Sequence, residues 1–84
     1  MTMAAMHQDQ IPLPKLPIGQ RARITEIHGD RDMSRRLLGL GLRVGSEISV
    51  VQQRNRGVVV ARAGNRIALG SSIASKLVMQ PLDG

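Results

Sequence analysis

The sequence predicts a mainly β domain: a small SH3-like or OB-like barrel of five short strands, with one short helix inserted after the first strand and a helical turn before the last. The chain has 84 residues, which leaves room for one hydrophobic core. Short runs with strand-forming character recur along it, separated by Gly, Asn and Ser. Such short strands cannot bury both faces of a flat sheet, whereas closure into a barrel creates a core and removes most free edges.

The N-terminal segment is rich in Pro and lacks a regular apolar pattern. We therefore expect residues 1–14 to form a flexible leader and residues 15–84 to form the barrel domain. No apolar stretch is long enough for a secretory signal or a membrane span, so the sequence predicts a cytoplasmic protein. The residues that punctuate the entry to the domain are Pro12, Pro14, Pro17 and Gly19.

The first strand is predicted from Arg21 to His28. Its apolar residues alternate with polar ones as far as Ile24, but the next apolar residue is Ile27 rather than position 26. This slip of one residue reverses the face on which side chains lie, and it indicates a bulge or bend in the strand.

A short helix is predicted from Met33 to Leu40. Met33, Leu37 and Leu40 follow the i, i+4, i+7 spacing of one buried helical stripe. Asp30 and Asp32 precede this stripe and offer the side-chain oxygens that cap a helix N-terminus.

The end of this helix is also predicted from local residues. Gly41 can adopt the left-handed conformation that follows a helix, and Leu42 would then contact Leu37, as in a Schellman motif. Arg35 and Arg36 fall outside the buried stripe, so we expect them to be at least partly exposed.

The C-terminal half is predicted to contain four more strands. The second and third of these are joined by Gly64 and Asn65, which both tolerate the positive φ of a primed two-residue turn. One turn of helix holding Ile73 and Ala74 precedes the last strand, which Pro81 ends. The four strands span residues 47–52, 58–63, 66–69 and 76–80.

The composition argues against an active site. Cys, Phe, Trp and Tyr are absent, so there is no disulfide framework, no Cys-based zinc site and no cysteine nucleophile. No Ser lies in a nucleophile elbow, and no Gly run carries the Lys and hydroxyl of a phosphate-binding loop. His28 with Asp30 or Asp32 would supply only two or three metal ligands, and helix capping explains the aspartates better. We expect no catalysis, no cofactor and no metal site.

The net charge of +6 at pH 7 indicates an anionic partner. Nucleic acid, an inner-membrane surface and an acidic protein all fit this charge. The lack of aromatic residues disfavours nucleic acid, because single strands are held largely by stacking on such side chains, at about 1–3 kcal/mol per base. A small basic nucleic-acid-binding barrel therefore stays as the alternative function.

The order of these features resembles the FeoA family of small ferrous-iron transport proteins. The resemblance covers about Leu16 to Met79, and its most specific part is the run in which an Arg-Leu pair precedes Leu-Gly-Leu and a further Gly. The residues that carry it include Leu16, Gly19, Ala22, Ile24, Ile27, Gly29, Arg36, Leu37, Leu40, Gly41, Leu42, Gly45, Ile48, Val50, Ile67, Ala68, Leu69, Ile73, Ala74 and Val78.

The resemblance implies an SH3-like fold and a role beside the large membrane transporter of ferrous iron, which has a cytosolic GTP-binding domain. We expect an adaptor that binds this domain, touches the membrane only through the transporter and does not catalyse a reaction. Whether it self-associates stays open. Arginine next to apolar surface is typical of interface hot spots. The residues predicted to bind the partner are Arg35, Arg36, Leu38, Arg43, Arg54 and Arg56.

Overall fold

The computed structural model describes residues 10–82. Six strands, two short α-helices and one 3-10 helix account for most of this part of the chain. In chain order they are β1 (Ile11–Pro12), the 3-10 helix (Leu13–Lys15), β2 (Arg21–Ile27), α1 (Arg31–Gly39), β3 (Glu47–Arg54), β4 (Gly57–Arg62), β5 (Asn65–Gly70), α2 (Ser71–Ala74) and β6 (Leu77–Leu82).

The strands form one antiparallel sheet in the order β1-β6-β2-β3-β4-β5. The predicted mainly β fold is confirmed, with α1 after β2 and the short α2 before the last strand. The sheet ends in β1 on one side and β5 on the other, and these edges are not hydrogen-bonded to each other within the described residues. The 3-10 helix packs against β4, β6 and α2, so it bridges strands that are not neighbours in the sheet.

The N-terminal segment differs from its prediction. One strand, β1, is additional to the five that were predicted. It pairs with β6, with Ile11 opposite Met79. Leu13 and Leu16 are among the most deeply buried side chains, at 1% and 2% exposure. Residues 11–14, which the sequence analysis assigned to a flexible leader, are therefore part of the fold, while residues 1–9 lie outside the described residues. Proline does not prevent this, because an edge strand and the first turn of a helix both tolerate a missing N–H.

The core is aliphatic and is built from alternate residues of the strands. Away from the register shifts in β2 and β3, the strands direct alternate side chains inward, and the helices and loops add a few residues. Removing this apolar surface from water is the main stabilising contribution to the fold. The buried apolar residues are Leu13, Leu16, Ala22, Ile24, Leu37, Leu42, Ile48, Val50, Val58, Val60, Leu69, Ala74, Leu77 and Met79.

The bulge predicted in the first strand is confirmed. The register of β2 against β6 shifts between Ile24 and Glu26, so that Thr25 has no directly opposed residue. As a result Ile24 is buried and Ile27 is partly buried against the core, although the two lie three positions apart.

The residues predicted to begin and end α1 act as expected, although the helix spans Arg31–Gly39 rather than Met33 to Leu40. The N–H of Met33 donates to Oδ1 of Asp30, the N-cap, at 2.9 Å. At the other end Gly41 has φ +86°, its N–H donates to the carbonyl of Leu38 at 2.9 Å, and the N–H of Leu42 donates to the carbonyl of Leu37 at 2.8 Å. This pair of bonds is the Schellman motif.

The turn between β4 and β5 lies one residue earlier than predicted. Arg62 pairs with Asn65, so the two turn residues are Ala63 and Gly64. Both have positive φ, +49° and +85°, as a type I′ turn requires. Asn65 lies in the strand instead, and Ala63 takes a conformation that costs an L-residue with a Cβ about 1–2 kcal/mol.

Replacing Ala63 by Asn is expected to stabilise the protein by about 0.5–1 kcal/mol, because Asn tolerates the left-handed region better than Ala. Urea unfolding checks this: the midpoint should rise while the slope stays unchanged. Gly64→Ala, at the next position of the same turn with φ +85°, should instead lower the midpoint. An unchanged midpoint for Ala63→Asn would mean that the turn is not strained.

Candidate docking surface

An open groove runs between α1 and α2. Arg35 and Arg36 line it from α1, and Ile73 and Lys76 line it from α2 and the residues that follow. Both arginines are exposed because Leu37 points to the core and fixes the rotation of the helix. The sequence prediction that these two cations face solvent is thus confirmed, while their role in binding stays a prediction.

The acidic side chains of the described residues leave Arg35 and Arg36 without an ion pair. Glu47 holds Arg21 and Arg23 through its two carboxylate oxygens, at 3.2 and 3.1 Å. The other described acids are occupied elsewhere or lie at the start of α1: Glu26 Oε1 is 2.8 Å from His28 Nε2, Asp30 caps the helix, and Asp32 is in its first turn. The groove consequently has carboxylates at the N-terminal end of α1 and, further along, guanidinium groups that form no ion pair with any carboxylate of residues 10–82.

Beyond the groove, the end of α1 exposes three large aliphatic side chains. Leu38, Leu40 and Val44 are 56%, 49% and 57% exposed. Leu40 was predicted to be buried in the helical stripe, and this prediction is wrong. Leu40 is the C-cap, where the chain leaves helical geometry, and Leu42 takes the core position instead at 1% exposure.

The β4–β5 turn lies beside this end of α1. A Cβ built on Gly41 would be 3.2 Å from Nη1 of Arg62, so the guanidinium of Arg62 lies close over Gly41. Arg43 and Val44 share a cleft with Arg62. We call the surface formed by Leu38, Leu40, Arg43, Val44 and Arg62 the helix-end surface. It combines exposed apolar area with guanidinium groups, and Leu40, Val44 and Arg62 were not predicted as candidates.

The structure does not bring all six predicted partner-binding residues together. Arg54 and Arg56 lie at the β3–β4 hairpin, next to Gly57, where they border a separate depression. Gly57 and Arg62 are the two ends of β4, about 17 Å apart at 3.3 Å per residue. The candidates therefore divide into one set on α1 and its following loop, and a second set on the hairpin.

Ser46 has a structural role in the loop that follows α1. The hydroxyl of Ser46, which is buried, accepts from the N–H of Arg43 and donates to the carbonyl of Gly41, so it holds the loop after α1. Within residues 10–82 no group of three or more His, Cys, Asp or Glu side chains is arranged to hold a metal ion. No helix in this part of the chain is long and apolar enough to span a membrane.

Comparison with known sequences identifies one family. A family model described as the FeoA domain matches residues 11–81. A protein of Methanocaldococcus jannaschii named Fe(2+) transport protein A is 26% identical over 69 residues, which is 82% of this chain and 84% of that protein.

Solved structures show the same fold. The crystal structure of an iron uptake regulatory protein, FeoA, matches with a TM-score of 0.81 at 24% identity, over 87% of this chain and 99% of that chain. The solution structure of the FeoA protein from Chlorobium tepidum matches with a TM-score of 0.77 at 26% identity, over 88% and 72%. A manganese-dependent transcriptional repressor matches at 0.81 and 23% identity, but this chain corresponds to only 37% of it.

Proposed function

The chain belongs to the FeoA family, and we propose that it is an adaptor that binds the cytosolic GTP-binding domain of a ferrous-iron membrane transporter and modulates its activity or assembly. The family and the protein it resembles in Methanocaldococcus jannaschii support a role in ferrous iron uptake. In this proposal the protein acts on the cytoplasmic side, reaches the membrane only through the transporter, and contributes binding surface rather than catalysis.

One observation carries the proposal: α1 presents guanidinium groups that have no ion-pair partner among residues 10–82, together with the exposed Leu38, on one helix with fixed ends. Arg35 and Arg36 precede the buried Leu37, and Leu38 follows it at 56% exposure. Arginine combines bidentate pairing to carboxylates with apolar area that can be desolvated, which is why it is enriched in interface hot spots. Because the Asp30 cap and the Schellman motif order the helix before binding, little conformational entropy is lost on docking.

Reversing both charges, Arg35→Glu with Arg36→Glu, is expected to weaken binding to the purified cytosolic domain of the transporter by about tenfold or more, since attraction to acidic partner groups becomes repulsion. Calorimetric titration measures the affinity, and circular dichroism should show an unchanged fold because both side chains are exposed.

The matched control is Lys15→Glu with Arg31→Glu, which makes the same change in net charge at exposed residues that do not line the α1–α2 groove. This control variant should lose much less affinity for the transporter domain, because only its overall charge changes. Equal losses in both pairs would mean that net charge alone drives the association. Binding of RNA or DNA with a steep salt dependence, without binding of the transporter domain, would favour the nucleic-acid alternative instead.

A further inference from the structure

One side of β5 has backbone hydrogen-bonding groups that no other strand of residues 10–82 pairs with. Arg62 and Asn65 flank a two-residue turn, so they form a hydrogen-bonded pair, and such pairs alternate along the ladder. The N–H of Ser71 donates to the carbonyl of Arg56 at 3.0 Å, which continues this alternation beyond Gly70. The N–H and C=O groups of Arg66, Ala68 and Gly70 therefore point away from β4. Within residues 10–82 these groups have no backbone partner, apart from the carbonyl of Gly70, which is the N-cap of α2 and accepts the first hydrogen bond of that helix.

The outer face beside this edge has a defined pattern of side chains. Ala68 lies opposite Val59, so a shallow apolar strip borders the free edge. Arg66 lies at one end of the strip, and Arg54 and Arg56 line the depression at the other end. Arg66 and Gly70 are four residues apart, about 13 Å along the strand. None of the side chains that line the depression is acidic.

We infer that the free edge of β5 accepts an extended acidic segment of a partner protein by strand addition, at a surface distinct from α1. Unpaired edge groups provide the main-chain hydrogen bonds of such a complex, and alternate side chains provide its specificity. On the outer face, successive side chains of the partner segment lie beside Arg66, then the apolar strip, and then Arg54 and Arg56. The segment that fits has the pattern Glu-x-apolar-x-Glu, which is the same in both strand directions.

A second copy of this chain fits the edge poorly. In an antiparallel pair centred on Ala68, Arg66 of each copy would lie beside Gly70 of the other, close to the Arg54 and Arg56 end of the depression. Like charges placed across neighbouring strands are destabilising, and each copy has a net charge of +6. An acidic segment removes this repulsion and satisfies the same backbone groups.

Titration of the isotope-labelled protein with the peptide Thr-Glu-Thr-Val-Thr-Glu-Thr, followed by amide NMR, tests the inference. The amide signals of Arg66, Ala68 and Gly70 should shift saturably as their N–H groups gain partners. A peptide with Lys in place of both Glu should not bind, and a peptide of the same composition with the acids three positions apart should bind about fivefold more weakly, because one acid then faces away from the arginines.

Ala68→Pro provides the matched variant. Proline removes the outward N–H of an edge residue without breaking a bond to β4, and edge strands tolerate it in this position. The variant should keep its melting temperature within a few degrees and bind the peptide at least fivefold more weakly, while Ala68→Ser should bind like the parent. If Ala68→Pro unfolds, Arg54→Ser with Arg56→Ser gives the same test, because both side chains are exposed.

Three results would overturn the inference: no shift with peptide at several millimolar, shifts confined to α1, or β5 shifts that depend on protein concentration without peptide and so reveal a second copy. If the Arg35→Glu, Arg36→Glu variant still binds the peptide, the edge of β5 and the arginines of α1 are distinct binding surfaces. Either proposal can therefore fail without the other.

Discussion

Leu37→Ala is expected to lower the free energy of unfolding by about 2–5 kcal/mol, which is a large part of the stability of a domain of this size. Leu37 is 0% exposed and is the buried residue of α1. Its carbonyl also accepts the N–H groups of Leu40 and Leu42 at the end of the helix. The truncation leaves a cavity under α1 and weakens the packing that fixes which face of the helix is exposed. Urea unfolding measures the loss as a lower midpoint.

Leu38→Ala is the control, because it makes the same chemical change one residue later in the same helix. Leu38 is 56% exposed, so the free energy of unfolding of the Leu38→Ala variant should stay within about 0.5 kcal/mol of the parent value. In the proposed adaptor it should nevertheless weaken binding to the transporter domain. Equal destabilisation by the two variants would contradict the assigned rotation of α1, and unchanged binding by Leu38→Ala would remove this residue from the docking surface.

The parts of the fold that were predicted correctly depend on local signals. The limits of α1 follow from one capping aspartate and one glycine with positive φ, and both devices act within a few residues. The bulge at Thr25 is visible as a slip in the apolar alternation, which records the same register shift in the sequence.

The errors arose where tertiary contacts decide the structure. A strand of two residues has no period, so β1 could not be recognised, and its pairing with β6 joins residues far apart in the chain. The exposure of Leu40 depends on the chain leaving the helix at that residue, which a helical stripe does not reveal. The turn at Ala63 was misplaced because Asn has the stronger intrinsic preference for such a position, and the pairing of β4 with β5 overrides this preference.

The sequence predicted which types of residue form the candidate site, but it did not predict how these residues are arranged in space. Arginine beside apolar residues marked α1, the following loop and the β3–β4 hairpin, yet the order of residues does not show which loops meet. The structure places Arg62 over Gly41, across an interval of 21 residues, and puts Arg54 and Arg56 at the opposite end of β4. The candidate residues on α1 and the loop after it, and those on the β3–β4 hairpin, therefore have to be tested with separate variants.

Leu13→Ala is expected to destabilise the protein by about 2–5 kcal/mol, although the sequence places Leu13 in a leader where substitution should have no effect. Leu13 is 1% exposed in the 3-10 helix that packs against β4, β6 and α2. The 3-10 helix bridges β4 and β6, which are not neighbours in the sheet, so the truncation opens a cavity in the core beneath this helix.

Ile18→Ala removes an aliphatic side chain five residues later and should change the stability by less than about 0.5 kcal/mol, because Ile18 is 63% exposed. Thermal unfolding of both variants, followed by circular dichroism, distinguishes the two accounts of the N-terminal segment. A melting temperature that falls for Leu13→Ala and not for Ile18→Ala requires that the segment is a structural part of the domain. Equal melting temperatures would return residues 11–14 to the leader, and β6 would then be an exposed edge of the sheet because β1 would no longer cover it.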